Sequence, residues 1–250
     1  MIQMSLVQID NYGPWTVDPV PKQEADIQIL QSSFYADVQH QFSSREGLAF
    51  ATRFDNILAI SNGIDKEAHR RIQQSLHARY PFTLSIGVGT GRTALEAQEV
   101  ATRHIHQAGS AQSSRTAVVE GTFLDSGRVD IGHFDIDDAT GTITDVLSAY
   151  DAYLAVKRAY LTLAQGLREL GATAFFVGGD NVIAPVNGVD RNDICALLTR
   201  LKEQEDVPLK VGFGTGSNAH EADIAAKHEL EHIRSLNGAA RDAASCRHQV

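Results

Sequence analysis

Cysteine is almost absent from this chain. Its 250 residues carry two, Cys195 and Cys246, and they form no C-x-x-C pair. That excludes a disulfide framework and a cysteine-built zinc site, and it points to a reducing cytoplasm. The ten histidines are scattered. The nearest grouping, His104 and His106, stands at i and i+2, on different faces of a helix. Long apolar runs are missing too: no stretch reaches the roughly 18 apolar residues of a membrane-spanning helix. The N-terminus, Met1-Ile2-Gln3-Met4-Ser5-Leu6, has no basic region followed by an apolar core, so no secretory signal is expected. Basic residues are outnumbered, 22 Lys and Arg against 31 Asp and Glu, for a formal charge of −9. That sign disfavours a broad surface for DNA or RNA. It leaves room for a small nucleotide, whose charge metal ions neutralise locally. What is plentiful is apolar side chain, 43% of residues, enough for a real core in one large domain or two small ones.

In chain order, Met4 to Ile9 alternates as a short strand ending at Asp10, and Asn11 to Trp15 reads as a loop. Ile27, Leu30, Phe34, Val38 and Phe42 recur at helical spacing, so residues 22–42 are expected to form an amphipathic helix. Leu48 to Thr52 and Ile57 to Ser61 read as strands about the turn Arg53-Phe54-Asp55-Asn56. Asp65 caps a second helix reaching about Arg79. Phe82 to Gly89 is a strand, and Thr93 with Glu96 forms a capping box for a third helix. Gly109 to Arg115 has the Gly/Ser-rich composition of a linker. Then the order begins again: a strand from Val129 to Phe134 ending at Asp135, a helix over 145–170, and an apolar run climbing to Gly178-Gly179-Asp180-Asn181. Asp190 caps the next helix, Leu209 to Gly214 is a strand, and Asn218 with Glu221 starts the last helix.

The two halves share one register. Asp10 and Asp135, Asp55 and Asp180, and Thr93 and Asn218 each stand 125 residues apart, as do the Ser85–Gly91 and Lys210–Gly216 segments. The chain is thus read as α+β: tandem duplicated ferredoxin-like domains, 1–112 and 113–250, with antiparallel sheets and helices on one face. In that order of elements the first and third strands are antiparallel neighbours. The end of the first lies beside the start of the third, which puts Asp10 next to Asp55 and Asp135 next to Asp180. Two carboxylates that close repel unless protonated or shared with a cation. Hard oxygen ligands of this kind select Mg²⁺, which keeps water and substrate phosphates in its shell. The competing reading of Gly178-Gly179-Asp180-Asn181 is a plain surface turn.

A strand ending in Asp, a hairpin carrying Gly-Gly-Asp and a later Ser-Ile-Gly-Val strand resemble the palm-type core of nucleotidyl and diguanylate cyclases. More specifically, the whole chain resembles the archaeal GTP cyclohydrolase III family. The segments that carry the resemblance are Gln8-Ile9-Asp10-Asn11-Tyr12-Gly13-Pro14-Trp15-Thr16-Val17, Thr52-Arg53-Phe54-Asp55-Asn56, Asn62-Gly63-Ile64-Asp65, Asp135-Ile136-Asp137, Thr140-Gly141-Thr142, Ser148-Ala149-Tyr150-Asp151, Gly178-Gly179-Asp180-Asn181 and Ala184-Pro185. The resemblance implies a hydrolase acting on cyclic amidine C–N bonds. It would open GTP at guanine C8, retain the formyl group and lose pyrophosphate or phosphate, giving 2-amino-5-formylamino-6-(5-phosphoribosylamino)pyrimidin-4(3H)-one, a precursor for flavin or deazaflavin synthesis. It further implies two or more Mg²⁺ ions, no membrane or nucleic-acid partner, and a homo-oligomer, a tetramer by resemblance.

Asp10, Asp55, Asp135 and Asp180 are the expected metal ligands and catalytic acids, against a reading as turn and helix caps. Thr140, Gly141 and Thr142 precede a long helix, where backbone N–H groups suit phosphate oxygens; Asp137 and Asp138 just before them would repel phosphate. Asn11, Tyr12, Phe54 and Asn56 flank the first acidic pair and are candidates for the guanine edge and wall, with Asn181 the second-half counterpart of Asn56. His133, beside Asp135, is a candidate for proton transfer or a structural strand histidine. The alternatives are a nucleotidyl cyclase and a non-catalytic nucleotide sensor. Asn181 stands where diguanylate cyclases have Glu-Phe, and Arg53-Phe54 stands where the second half has two glycines; both count against cyclisation.

Overall fold

The computed structural model describes residues 1–112, 117–137 and 139–236. Ser113 to Arg115 of the expected linker, the domain boundary drawn at 112/113, Asp138 and Cys246 fall at or beyond those limits and lie outside the described residues. Two compact units result, residues 1–128 with 217–220, and 129–216 with the chain from 221 onward.

In the first unit, alternating apolar residues build a central strand, β1 (Ile2–Ile9). It is antiparallel to β3 (Asn56–Ile60) on one side and β4 (Leu84–Gly91) on the other. β2 (Leu48–Ala51) closes one edge, and β5 (Val119–Gly121) runs parallel to β4 at the other, for the order β2-β3-β1-β4-β5. Three residues are too short to show period-2 alternation, which is why β5 is invisible in the sequence. Val7, Ile9, Ile57 and Ile86 face Phe34, Phe42, Ile72 and Leu76 of α2 (Glu24–Ser43) and α3 (Lys66–His77). The opposite side chains, Leu6 and Leu58, meet Ala101 and Ile105 of α4 (Ala94–Gln107). Helices expected on one face therefore occupy one face for α2 and α3, and α4 takes the other. The Thr93–Glu96 capping box is present, and Asp65 accepts from Ala68 N–H.

One expected loop is a helix. Tyr12–Val17 forms the short α1, with Asn11 left-handed (φ 55°) at its N-cap. Pro14 lies in the first turn, where no intrahelical N–H is required, so it does not break the helix.

The second unit repeats the plan: β6 (Val129–Ile136), β7 (Phe175–Gly178), β8 (Asn181–Pro185) and β9 (Leu209–Gly216) in the order β7-β8-β6-β9. α5 (Ala149–Glu169), α6 (Arg191–Glu205) and α7 (Ala219–Ser235) begin 125 residues after α2, α3 and α4. Phe134, Val182 and Val211 pack against Leu163, Leu167, Ile194 and Leu198. The helix expected over 145–170 starts later, at Ala149, because Ser148 caps it by accepting from Asp151 N–H. Thr140–Thr144 ahead of it forms a single π-helical turn.

The Gly-x-Gly of each last strand has a packing cause. A Cβ at Gly87 or Gly212 would lie 2.2 or 2.3 Å from the carbonyl oxygen of Ala101 or Ala226. At Gly89 or Gly214 it would lie 2.2 or 2.0 Å from that of Ala97 or Ala222. In both units the strand glycines let a helix backbone lie directly on the sheet.

Beneath the first sheet, His69 is fully buried in a chain of hydroxyls. Its Nδ1 donates to the Asp65 carbonyl at 2.8 Å, and its Nε2 accepts from Ser5 Oγ at 2.7 Å; Ser61 Oγ lies 2.7 Å from Ser5 Oγ. Burial first, and the Arg45 charge more weakly, bring its pKa down to about 4, against the opposing pull of Asp65. The unfolded chain therefore binds more protons than the folded one between the ordinary histidine value and about 4. Stability is full above pH 6.5 and falls as pH drops toward 4, by roughly 3 kcal/mol in all. Urea midpoints at pH 7.5 and 4.5 measure this, and a His69→Gln variant should lose most of the slope.

Candidate functional site

Strand pairing brings each pair of acids to one sheet edge. In the first unit, Ile9 N–H donates to the Asp55 carbonyl at 3.0 Å, so Asp10 and Asp55 sit at the adjoining ends of β1 and β3. Asp10 is buried and accepts from Ser85 Oγ (2.7 Å), Ala117 N–H (2.8 Å) and Thr83 Oγ1 (3.0 Å), all neutral donors. Asp55 pairs with Arg53 at 2.6 Å. That guanidinium is largely in solvent, so the pair is weak and readily opened. Arg53, Phe54 and Asp55 make a three-residue turn closed by Asp55 N–H on the Arg53 carbonyl, with Phe54 at φ 39°.

In the second unit the same positions carry different chemistry. Asp135 is buried, and Arg234 from the end of α7 reaches it, with Nη2 2.7 Å from Oδ1 and Nε donating to Oδ2 at 3.2 Å. The first contact is a charge pair without hydrogen-bond geometry, since Oδ1 has no well-directed donor among the described residues. Asp180 has its pKa raised, first by burial, then by the negative charge of Asp135 and a hydrogen bond between the two carboxyls. Asn181 Nδ2 donates to Asp180 at 3.1 Å, and its Oδ1 accepts from His133 Nε2 at 3.0 Å. His133 Nδ1 is left buried with no hydrogen-bond partner among the described residues. Lys210 stands at the repeat position of Ser85 and pairs with Asp137 at 2.7 Å. Arg234 stands at the repeat position of Gly109. Among the described contacts, Asp10 has two hydroxyl donors and an amide, and Asp135 has a guanidinium.

The remaining candidates divide. Asn56 Oδ1 accepts from Gln8 Nε2 at 2.6 Å, the counterpart of the Asn181–His133 contact. Tyr12 packs on the first core, stacks on Trp15 at 6.1 Å and takes a hydrogen bond from Gln31, while Asn11 serves as the left-handed cap of α1. Thr140, Gly141 and Thr142 are exposed in the π-helical turn and do not converge. Thr140 faces a cavity of 270 Å³ that Gly179, Asp180 and Lys157 also line, whereas Thr142 faces a 480 Å³ cavity containing none of the four acids. Lys157, Lys210 and Arg234 are absent from the sequence-derived set. Lys210 was findable, as the one charged replacement in the aligned Ser85 and Lys210 segments.

Phe54 occupies the repeat position of Gly179, which also has positive φ (61°). A left-handed conformation costs a non-glycine residue about 1–2 kcal/mol, and Phe54, 40% exposed, regains little by burial. Phe54→Gly should therefore change stability by under about 1 kcal/mol, far from the 3–5 kcal/mol of a buried Phe→Ala. A melting curve checks this, and a raised KM in the same variant would give the ring a role in binding.

Two ferredoxin-like units, each with a strand-end carboxylate beside a hairpin carboxylate, define a duplicated α+β protein whose sheet edges are built for charge. Comparison with known proteins is specific: a family model described as GTP cyclohydrolase III matches residues 4–246. The GTP cyclohydrolase III of Methanococcus maripaludis is 47% identical over 237 residues, covering 94% of this chain and 89% of that one. That of Methanothermobacter thermautotrophicus is 46% identical, covering 94% and 95%. The chain belongs to the GTP cyclohydrolase III family. Likeness to solved structures is lower. A bacterial light-regulated adenylyl cyclase is 13% identical at a TM-score of 0.41, covering 100% of this chain and 88% of that one. A GGDEF-domain protein from M. capsulatus is 17% identical at 0.36, covering 44% and 79%. No helix among the described residues is long and apolar enough to cross a membrane. No group of three or more metal-ligating side chains occurs among them either.

Proposed function

We propose that this chain hydrolyses GTP at guanine C8, opening the imidazole ring with the formyl group retained and pyrophosphate or phosphate lost. The family match over residues 4–246 carries the reading, and the adjoining acids Asp135 and Asp180 support it. Those two carboxylates suit a divalent cation: both are hard oxygen donors, and Asp135 Oδ1 is buried without a directed hydrogen bond. Asp10 and Asp55 would form the equivalent pair in the first half. Two protein carboxylates per site match the preference of Mg²⁺ for completing its shell with water and phosphate oxygens. Such an ion, when bound, supplies charge stabilisation at phosphate oxygens. Asp135 and Asp180 would hold the divalent cation at the sheet edge, and Arg234 would balance the charge of Asp135 in its absence.

Asn11, Tyr12, Phe54, Asn56, Asn181 and the Thr140-Gly141-Thr142 turn remain the proposed substrate contacts, and 112/113 the proposed boundary between halves. The scarcity of cysteine supports a cytoplasmic setting, and the family resemblance supports a homo-oligomer, a tetramer in form. Incubation with GTP and Mg²⁺ followed by mass spectrometry tests the reading. The expected product is a formylaminopyrimidine monophosphate; a cyclic nucleotide or unchanged GTP would overturn it.

A further inference from the structure

We propose that His133 is a positioning residue: its Nε2 N–H fixes the side-chain amide of Asn181, and that amide fixes the direction of the Asp180 carboxylate. The inference rests on the reading of Asp135 and Asp180 as the holders of a divalent cation. Asp180 follows Gly178 and Gly179, both at positive φ and without side chains to hold the turn. Glycine is the most freely jointed residue, so an acid at this place needs a tether to keep one direction. Asn181 supplies it, donating from Nδ2 to Asp180 Oδ1 at 3.1 Å. An amide side chain donates only at its nitrogen and accepts only at its oxygen. Turned over, it would set its oxygen against the Asp180 carboxylate and its N–H groups against His133. Asn181 Oδ1 faces His133 Nε2 at 3.0 Å and can only accept, so Nε2 carries the hydrogen that keeps the amide from turning over.

Two observations separate this role from packing and from proton transfer. His133 is buried, and its Nδ1 has no hydrogen-bond partner among the described residues. An unpaired buried polar atom is unfavourable, so an apolar side chain would serve packing better at this strand position. The first half then shows which property is kept. Gln8 and Asn56 are the repeat positions of His133 and Asn181, and Gln8 Nε2 donates to Asn56 Oδ1 at 2.6 Å. Glutamine differs from histidine in shape and has no titrating group to pass a proton. What the two share is an N–H aimed at the same amide oxygen, from a position two residues before the strand-end acid.

Hydrogen bonds one step removed from a cation orient its ligands, and losing one typically weakens metal affinity or activity about 10- to 100-fold. The Asn181 nitrogen carries a second hydrogen. His133 therefore also sets the direction of the substrate contact proposed for that residue.

His133→Gln keeps a donor, as Gln8 does. His133→Phe keeps a flat ring without one, and His133→Leu takes its place should the Phe variant not fold. Calorimetry with Mn²⁺, without nucleotide, is run in an Asp55→Asn background that silences the first pair. There His133→Phe should raise the Mn²⁺ Kd about 10-fold or more, while His133→Gln stays within about 3-fold. In the otherwise wild-type enzyme, the Mg²⁺ concentration for half-maximal GTP turnover should move in the same way. With Asn181→Leu also present, His133→Phe should cost nothing further, because His133 acts through Asn181. A folded His133→Phe variant with unchanged Mn²⁺ affinity would overturn the proposal. So would a His133→Gln variant as weak as His133→Phe, or losses that add in the double variant. If the Asp55→Asn protein binds no Mn²⁺ at all, the cation reading fails by itself. Urea midpoints of His133→Phe, Asn181→Leu and the double variant then decide. Additive shifts mean that His133 does not hold Asn181, and shifts that do not add sustain the contact.

Discussion

Asp180→Ala lowers kcat for GTP by about 10³-fold or more, roughly 4 kcal/mol of barrier, and the protein stays folded. The two halves of that expectation have separate causes. Catalytic loss follows if the Asp135 and Asp180 pair holds a divalent cation at the phosphates, where charge stabilisation is worth several kcal/mol. Retention of the fold follows from the turn. Asp180 is only partly buried, the bend is made by Gly178 and Gly179 at positive φ, and burial first, then the neighbouring Asp135 carboxylate, raises the Asp180 pKa. Removing it relieves a repulsion and removes no core packing. Asp10→Ala is the contrast. Asp10 accepts from Ser85, Thr83 and Ala117 on two other stretches of chain, so its loss strands the buried Ser85 hydroxyl and two less buried donors and costs about 1–3 kcal/mol of stability as well. Circular dichroism and thermal melting beside kcat and KM separate the outcomes. A folded Asp180→Ala enzyme with full activity removes the second acid pair from the chemistry.

Gly214→Ala, and its repeat counterpart Gly89→Ala, cost about 3 kcal/mol each, at the upper end of overpacking effects. The new methyl carbon would stand 2.0 or 2.2 Å from a helix carbonyl oxygen, and at Gly214 also 2.2 Å from the Ala226 nitrogen. These neighbours are backbone, which cannot rotate away as a side chain can. The helix must lift from its sheet, opening the contacts of Ala222, Ala226 and Leu230 or of Ala97 and Ala101. Since a chain of this size shifts its Tm by about 2–4 °C per kcal/mol, a fall of about 10 °C is expected in calorimetry. In Gly214→Ala, lifting α7 also draws Arg234 from Asp135, so altered activity should accompany the lower Tm. An unchanged Tm would mean that these helices do not lie on their sheets as closely as described.

Much of this was legible in the chain. The repeat of 125 residues, the helix caps at Asp65, Thr93 and Asp190, and the four acids all depend on local spacing or on self-comparison. So did the neighbouring positions of the acids, because strand order in a ferredoxin-like unit leaves one antiparallel partner for the end of the first strand. What escaped was short or distant. α1 is six residues with a proline in its first turn, and β5 is three residues paired with the distant β4.

By itself the sequence determined two copies of one α+β plan, the strand ends that carry the carboxylates, and the family. Only the tertiary structure decided what surrounds each carboxylate. Arg234 meets Asp135 across 99 residues, and Ala117 meets Asp10 across 107. Those meetings depend on how closely α7 lies on its sheet and how the chain returns beside β4. Periodicity specifies which face of an element is buried, but not which side chain of a distant segment ends beside it.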